Sequence, residues 1–167
     1  DGFGTRSVFG GDGDDTLIVG SSEAGLFPAS PGRVDFIEGD LVLDAQGGAD
    51  DRIVVDDSGD TNPNIGSFVG ATVYGLDMAG QITFANAENL DILLGAQDDI
   101  FYVPATNASQ PVTLNLGGGF DTAYVGTTQG HETSGSLNGI LGALVIQGEG
   151  PEAGDRLFLN DYDSATG

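Results

Sequence analysis

The chain has 167 residues, 39% of them hydrophobic, so it can bury one core and is too apolar for a disordered acidic tail. Its 26 Asp and Glu face only four Arg (Arg6, Arg33, Arg52, Arg156) and no Lys; the net charge of −22 excludes nucleic acid and anionic membranes as partners. With no cysteine and a single histidine, His131, zinc, copper and iron–sulfur centres are excluded too.

Along the chain one pattern recurs: a glycine-rich turn, an Asp, then a short apolar strand. It starts as Gly11–Asp15 followed by Leu17-Ile-Val19, and returns as Gly47–Asp51 followed by Ile53-Val-Val55. It recurs as Gly95–Asp99 with Ile100–Val103, as Gly117–Asp121 with Ala123-Tyr-Val125, and, with an insertion, as Gly150–Asp155 with Leu157-Phe-Leu159. Between these beats lie further predicted strands at Leu41–Leu43, Ala71–Tyr74, Gln81–Phe84, Leu90–Leu94, Val112–Leu116 and Leu144–Ile146. Gly20–Gly32, Pro104–Gln110 and Gly126–Ser136 read as loops leaving the body, the second carrying the Asn107-Ala-Ser109 sequon. Asp56-Asp-Ser-Gly-Asp60 reads either as an ion site or as a solvated turn, with the turn preferred. Asp161–Gly167 resembles the start of an EF-hand loop but lacks its distal Glu. Phe9, Leu17, Ile53, Ile100, Leu114, Tyr124 and Leu157 are expected to stack in the interior.

Self-comparison adds a longer period. Gly11–Gly20 aligns with Gly117–Gly126, then Val34–Leu43 with Leu137–Ile146, then Asp51–Val55 with Asp155–Leu159. Residues 1–167 therefore read as a single solenoid segment holding about one and a half copies of a unit of about 104 residues, in which 15–51 recurs as 121–155. The 22-residue step from Asp99 to Asp121 suits one coil of a parallel β-helix, and the 48 residues from Asp51 to Asp99 suit two. The expected fold is all-β, a right-handed parallel β-helix (β-solenoid) with irregular coils and protruding loops.

Of the 26 acids, 20 are Asp, the short carboxylate of turns and metal loops. Two like charges 4 Å apart repel by about 4 kcal/mol at an effective dielectric near 20. Clustered Asp therefore call for a counter-charge that four Arg cannot supply. Carboxylate and carbonyl oxygens in irregular loops select a hard cation, Ca²⁺ before Mg²⁺. No apolar run approaches ~18 residues, so no membrane insertion is expected.

Gly10-Gly-Asp-Gly-Asp-Asp15-Thr-Leu17-Ile18 fills every position of the nonapeptide GGxGxDxUx, and the chain resembles the RTX, or hemolysin-type, calcium-binding repeat proteins. Val55–Thr61, Tyr74–Met78 and Glu88–Gly95 extend the likeness to the degenerate long repeats of very large bacterial surface or secreted proteins. The resemblance implies Ca²⁺ held by turn carbonyls and by an Asp shared between coils. Its positions here are Gly11, Asp12, Gly13 and Asp15, with Asp51, Asp99, Asp121 and Asp155 as the recurring Asp. Asp14, Asp50 and Asp98 would add ligands or charge; the simpler reading is that each turn Asp only caps backbone N–H groups. Only one beat is a perfect nonapeptide, so a wider β-helix is expected rather than a tight roll.

The resemblance further implies an extracellular or cell-surface, non-catalytic, structural or adhesive module. Its expected partners are neighbouring repeats of the same chain, identical chains stacked end to end in an array or filament, and surface glycans. The alternative is a carbohydrate-active β-helix, as enzyme or binding module. Abundant acids favour it, whereas the absence of Trp and the scarcity of Tyr for sugar platforms oppose it.

Overall fold

The computed structural model describes residues 4–20, 31–148 and 154–163. Segment 21–30, the start of the Gly150 beat and the end of the Asp161–Gly167 motif lie outside them. The chain is an all-β solenoid of parallel stacked strands, as the glycine–Asp–apolar rhythm predicts. Its strands are β1 (Arg6–Asp12), β2 (Thr16–Val19), β3 (Leu41–Gly47), β4 (Arg52–Asp56), β5 (Ile65–Gly70), β6 (Thr72–Gly75) and β7 (Gln81–Ala85). They continue as β8 (Asn89–Leu93), β9 (Ile100–Thr106), β10 (Val112–Asn115), β11 (Thr122–Val125), β12 (Leu144–Gln147) and β13 (Arg156–Leu159). Among the described residues no helix is long and apolar enough to cross a membrane.

Two sheets face each other across the core. The first runs β1-β3-β7-β6-β5-β9-β11-β13 and the second β12-β10-β8-β4-β2, so each coil passes through both. Pairing is parallel except in one coil. There the chain enters the first sheet at β5, doubles back as the antiparallel β6 and leaves through β7, which rejoins β3. The two-residue loop Gly70–Ala71, with Gly70 at φ 64°, makes the first reversal. The second carries Gly75, Leu76 and Asp77 in the left-handed region, and Leu76 is buried there in the core. A strand at Ile65–Gly70 is absent from the sequence reading, because no Gly–Asp turn announces it.

Side chains alternate after each turn Asp, as a pleated strand demands, although the outward-facing Val54 and Tyr102 are covered as well. The second and fourth residues after the Asp point inward: Ile53 and Val55, Phe101 and Val103, Ala123 and Val125 are all buried. Leu114 joins them, and Leu17 packs partly against the core. Three expected core residues lie elsewhere. Ile100 and Tyr124 have the opposite parity and face outward, and Phe9 is 60% exposed. Leu157 has the inward parity but belongs to the last strand, so it is half exposed. Outside, Tyr124 stacks between Tyr102 and Phe158, with ring centroids 5.1 and 4.9 Å apart.

Two loops differ from expectation. β9 runs through Pro104 to Thr106, because the register against β5 shifts between Ser67 and Val69 and a bulge accommodates the proline. The turn is thus shorter, with Asn107–Ser109 exposed. The 126–136 loop forms but folds back on the sheet, where Glu132 accepts a 2.7 Å hydrogen bond from the Tyr102 hydroxyl.

Candidate functional site

The turn Asp has the same inward parity as the apolar residues after it, so its carboxylate enters the body rather than solvent. Asp51, Asp99 and Asp121 are no more than 2% exposed. Each occupies the corner where the chain enters a sheet, and successive coils stack these corners into ladders. The N–H of one turn Asp donates to the carboxylate of the next coil, which satisfies a backbone group that precedes the strand ladder.

Among the described residues two such ladders run, one at the entry to each sheet. Where the chain enters the second sheet, the Asp15 N–H donates to Asp51 Oδ1 at 2.6 Å and the Asp51 N–H to Glu88 Oε2 at 2.8 Å. Where it enters the first sheet, the Asn64 N–H donates to Asp99 Oδ1 and the Asp99 N–H to Asp121 Oδ1, both at 2.7 Å. The Asp121 N–H then donates to Asp155 Oδ1 at 3.2 Å. The predicted aspartates are therefore brought together as Asp15 with Asp51, and as Asp99 with Asp121 and Asp155. Asp51 and Asp99 are one and a half coils apart, not two, since β4 and β9 belong to different sheets. Strands aligned by the long repeat, β2 to β4 with β11 to β13, likewise exchange sheets.

Asp51, Asp99, Asp121 and Asp155 each accept from the ladder through Oδ1. Oδ2 of Asp15, Asp51, Asp99 and Asp121 is buried with no hydrogen-bond donor. Such a group costs about 1–3 kcal/mol if neutral and more if charged. Glycine makes room for them: a Cβ at Gly10 would lie 2.8 Å from Asp15 Oδ2, and one at Gly48 2.7 and 2.8 Å from the Asp51 oxygens. Burial pushes Asp121 up to about 7 against the pull of the Asp99 N–H, with Asp99, Asp155 and Asp98 adding to the rise. Burial likewise raises Asp99 to about 6, against the Asn64 and Gly95 N–H groups. Arg33 pairs with Asp60 and Asp35, and Arg52 with Asp91.

The surrounding predicted residues have distinct places. Gly11 (φ 115°), near the end of β1, and Gly13 (φ 110°), in the bend after it, are required by backbone conformation rather than by space. Asp12 is exposed at the end of that strand, and the Gly13 N–H donates to the Gly47 carbonyl of the next coil. Asp14 Oδ1 accepts from the Ala49 and Asp50 N–H groups, and Asp98 Oδ1 from Phe120. These outer acids staple one turn to the next. The ladders also include Glu88 and Asn64, which the sequence reading missed because neither follows a Gly-x-x-x spacing. The Asp56–Asp60 turn is a turn but not a solvated one, since Asp56, Asp57 and Asp60 are all buried.

The donor set fits a hard cation in kind, with buried carboxylate oxygens lacking partners beside glycine backbone. It does not bring three acids together at a ladder. Among the described residues only Asp35, Asp57 and Asp60 place an oxygen each within 4.8 Å of one another. A ladder ion would thus draw most of its ligands from backbone carbonyls and water. Fold and site together define a two-sheet β-solenoid with buried aspartate ladders. Comparison with protein-family models, curated proteins and solved structures finds no match.

Proposed function

We propose that the chain is a calcium-stabilised structural or adhesive repeat module of an extracellular or cell-surface protein, and not an enzyme. The observation that carries this reading is the set of buried ladder oxygens without donors, in a chain of net charge −22. A coil corner that buries an acid on every turn is held together either by protons or by cations. Ca²⁺ satisfies several such oxygens at once and removes the repulsion between successive carboxylates. Sites drawing largely on carbonyls and water suit extracellular calcium levels, where modules bind with Kd of about 10⁻⁴–10⁻³ M.

The ends of the stack support an array. At one end Leu157 and Leu159 are more than half exposed and line, with Val125, Leu137, Ile140, Leu144 and Ile146, an open apolar cleft of about 470 Å³. At the other, β1 presents Phe9 and Val8 to solvent. Stacked parallel strands leave such faces for another coil to cover, whether from neighbouring repeats of the same chain or from an identical chain.

Thermal unfolding followed by circular dichroism tests the calcium reading. Melting in millimolar calcium should exceed that in EDTA or magnesium, because one site at tenfold excess over its Kd adds about 1.4 kcal/mol. Melting indifferent to all three would reduce the ladders to proton-held caps.

A further inference from the structure

Outside the ladders, three carboxylates meet where the segment after Gly32 packs on the turn following β4. The Gly59 N–H donates to the Gly32 carbonyl at 2.7 Å, and the Val34 N–H to Asp57 Oδ1 at 3.0 Å. This places Asp35 beside Asp57 and Asp60, with one oxygen from each within 4.8 Å of the others. Asp60 Oδ1 accepts from Arg33 Nη2, from the Thr61 and Asn62 N–H groups and from Asn62 Nδ2, while Oδ2 accepts from Asn64 Nδ2 and keeps a lone pair. Asp57 is 0% exposed, and its Oδ2 is buried without a donor. Asp35 Oδ1 and Asn64 Oδ1 are buried without donors as well.

We infer that Asp35, Asp57 and Asp60 form a divalent-cation site of the calcium class, separate from the two ladders. Charge counting decides the valence. Three carboxylates carry −3, and Arg33, paired with Asp60 and 3.9 Å from Asp35, returns +1, which leaves −2. Arg33 alone cannot neutralise the group, and a divalent cation does so completely. Surplus oxygen acceptors without donors are what a hard cation consumes. The ion would clamp residues 33–35 to the 57–60 turn. Through Asn64, which bonds both Asp60 and Asp99, it would also brace the start of the second ladder.

The test counts calcium bound per chain by equilibrium dialysis, with circular dichroism confirming the fold. Asp57→Asn with Asp35→Asn keeps an acceptor for the Val34 N–H and removes two charges. Bound calcium should fall by one ion, while Asp121→Asn should leave this ion in place. Asp35→Asn alone, at a half-buried position, is the gentler variant and should weaken the same ion by about tenfold, since ligand charge sets affinity. A folded double variant that keeps the full count overturns the site, as does a wild-type chain that binds no calcium. Loss of ions from Asp121→Asn but not from the double variant would sink this site and spare the ladders; the reverse would do the opposite.

Discussion

The two corners of the solenoid solve one problem with different end groups. The ladder leading into the second sheet starts at half-buried Asp15, passes through Asp51 and ends on Glu88, whose longer side chain reaches back to the Asp51 N–H. One coil further on, Gln110 takes over at that corner and donates to the Ala87 carbonyl, so no further acid follows. The ladder leading into the first sheet starts at neutral Asn64 and keeps Asp at every later step. Its middle members, Asp99 and Asp121, repel each other and are both raised by burial. It also adjoins the Asp35–Asp57–Asp60 group, whose charges add to the rise at Asp57 and Asp99. Glu88 is still an acid, but neutral Gln110 in the following coil ends that run of charge, whereas a continuous run of Asp accumulates charge that needs a cation or protons.

The largest effect expected from this contrast is on pH. In chelator, the raised folded-state values of Asp57, Asp99 and Asp121 mean that the folded chain binds more protons than the unfolded one between about pH 4 and 7. Stability from these groups is full below the unfolded value near 4 and falls as pH rises through about 6 to 7, by up to about 1.4 kcal/mol per unit per group. Denaturant unfolding of the chelated protein should therefore show decreasing stability over that window, and Asp121→Asn should flatten part of the slope. A chelated wild-type chain that gains stability over the window contradicts the assignment.

A middle rung and a terminal rung of the second ladder should also differ. In calcium, Asp121→Ala leaves the Asp99 N–H buried without an acceptor and should cost about 2–3 kcal/mol. Asp155→Ala, at the half-buried end with a longer hydrogen bond, should cost about 1 kcal/mol or less by the same measurement. Equal costs would mean that the ladder does not act rung by rung. Gly75→Ala in the hairpin coil is expected to cost about 1–3 kcal/mol, overlapping the middle rung and exceeding the terminal one. Gly75 sits at φ 82°, and a Cβ there would collide with the Ile65 carbonyl oxygen and lie 3.0 Å from the Gly66 Cα. A neutral Gly75→Ala in urea unfolding would show that the hairpin relaxes freely.

Much of this was legible in the residues. The Gly–Asp–apolar beats located β2, β4, β9, β11 and β13, and the 22-residue step from Asp99 to Asp121 is the stacking of β9 on β11. Parity was the signal left unread. Counting in twos from each Asp puts Phe101 and Ala123 inside, Ile100 and Tyr124 outside, and the Asp itself inside; its burial was therefore inferable from the same alternation. The hairpin was not inferable from the beats, since Ile65-Gly-Ser-Phe-Val69 has no turn Asp and its reversal rests on Gly70. That coil takes the chain through the first sheet three times, and the long repeat spans an odd number of half-coils. Aligned strands consequently fall on opposite sheets, a relation that sequence spacing alone does not express. The meeting of Asp35 with Asp57 and Asp60 was hidden for another reason: it depends on how the 31–35 segment packs, not on any local motif.

The most direct test of the account is a crystal structure grown in calcium, with an anomalous map from a lanthanide-substituted crystal. Peaks are expected at about 2.3–2.6 Å from the free oxygens of Asp51 and Asp121, and one among Asp35, Asp57 and Asp60. A map without peaks at these positions, in which the same oxygens instead share protons with neighbouring acceptors, would contradict it.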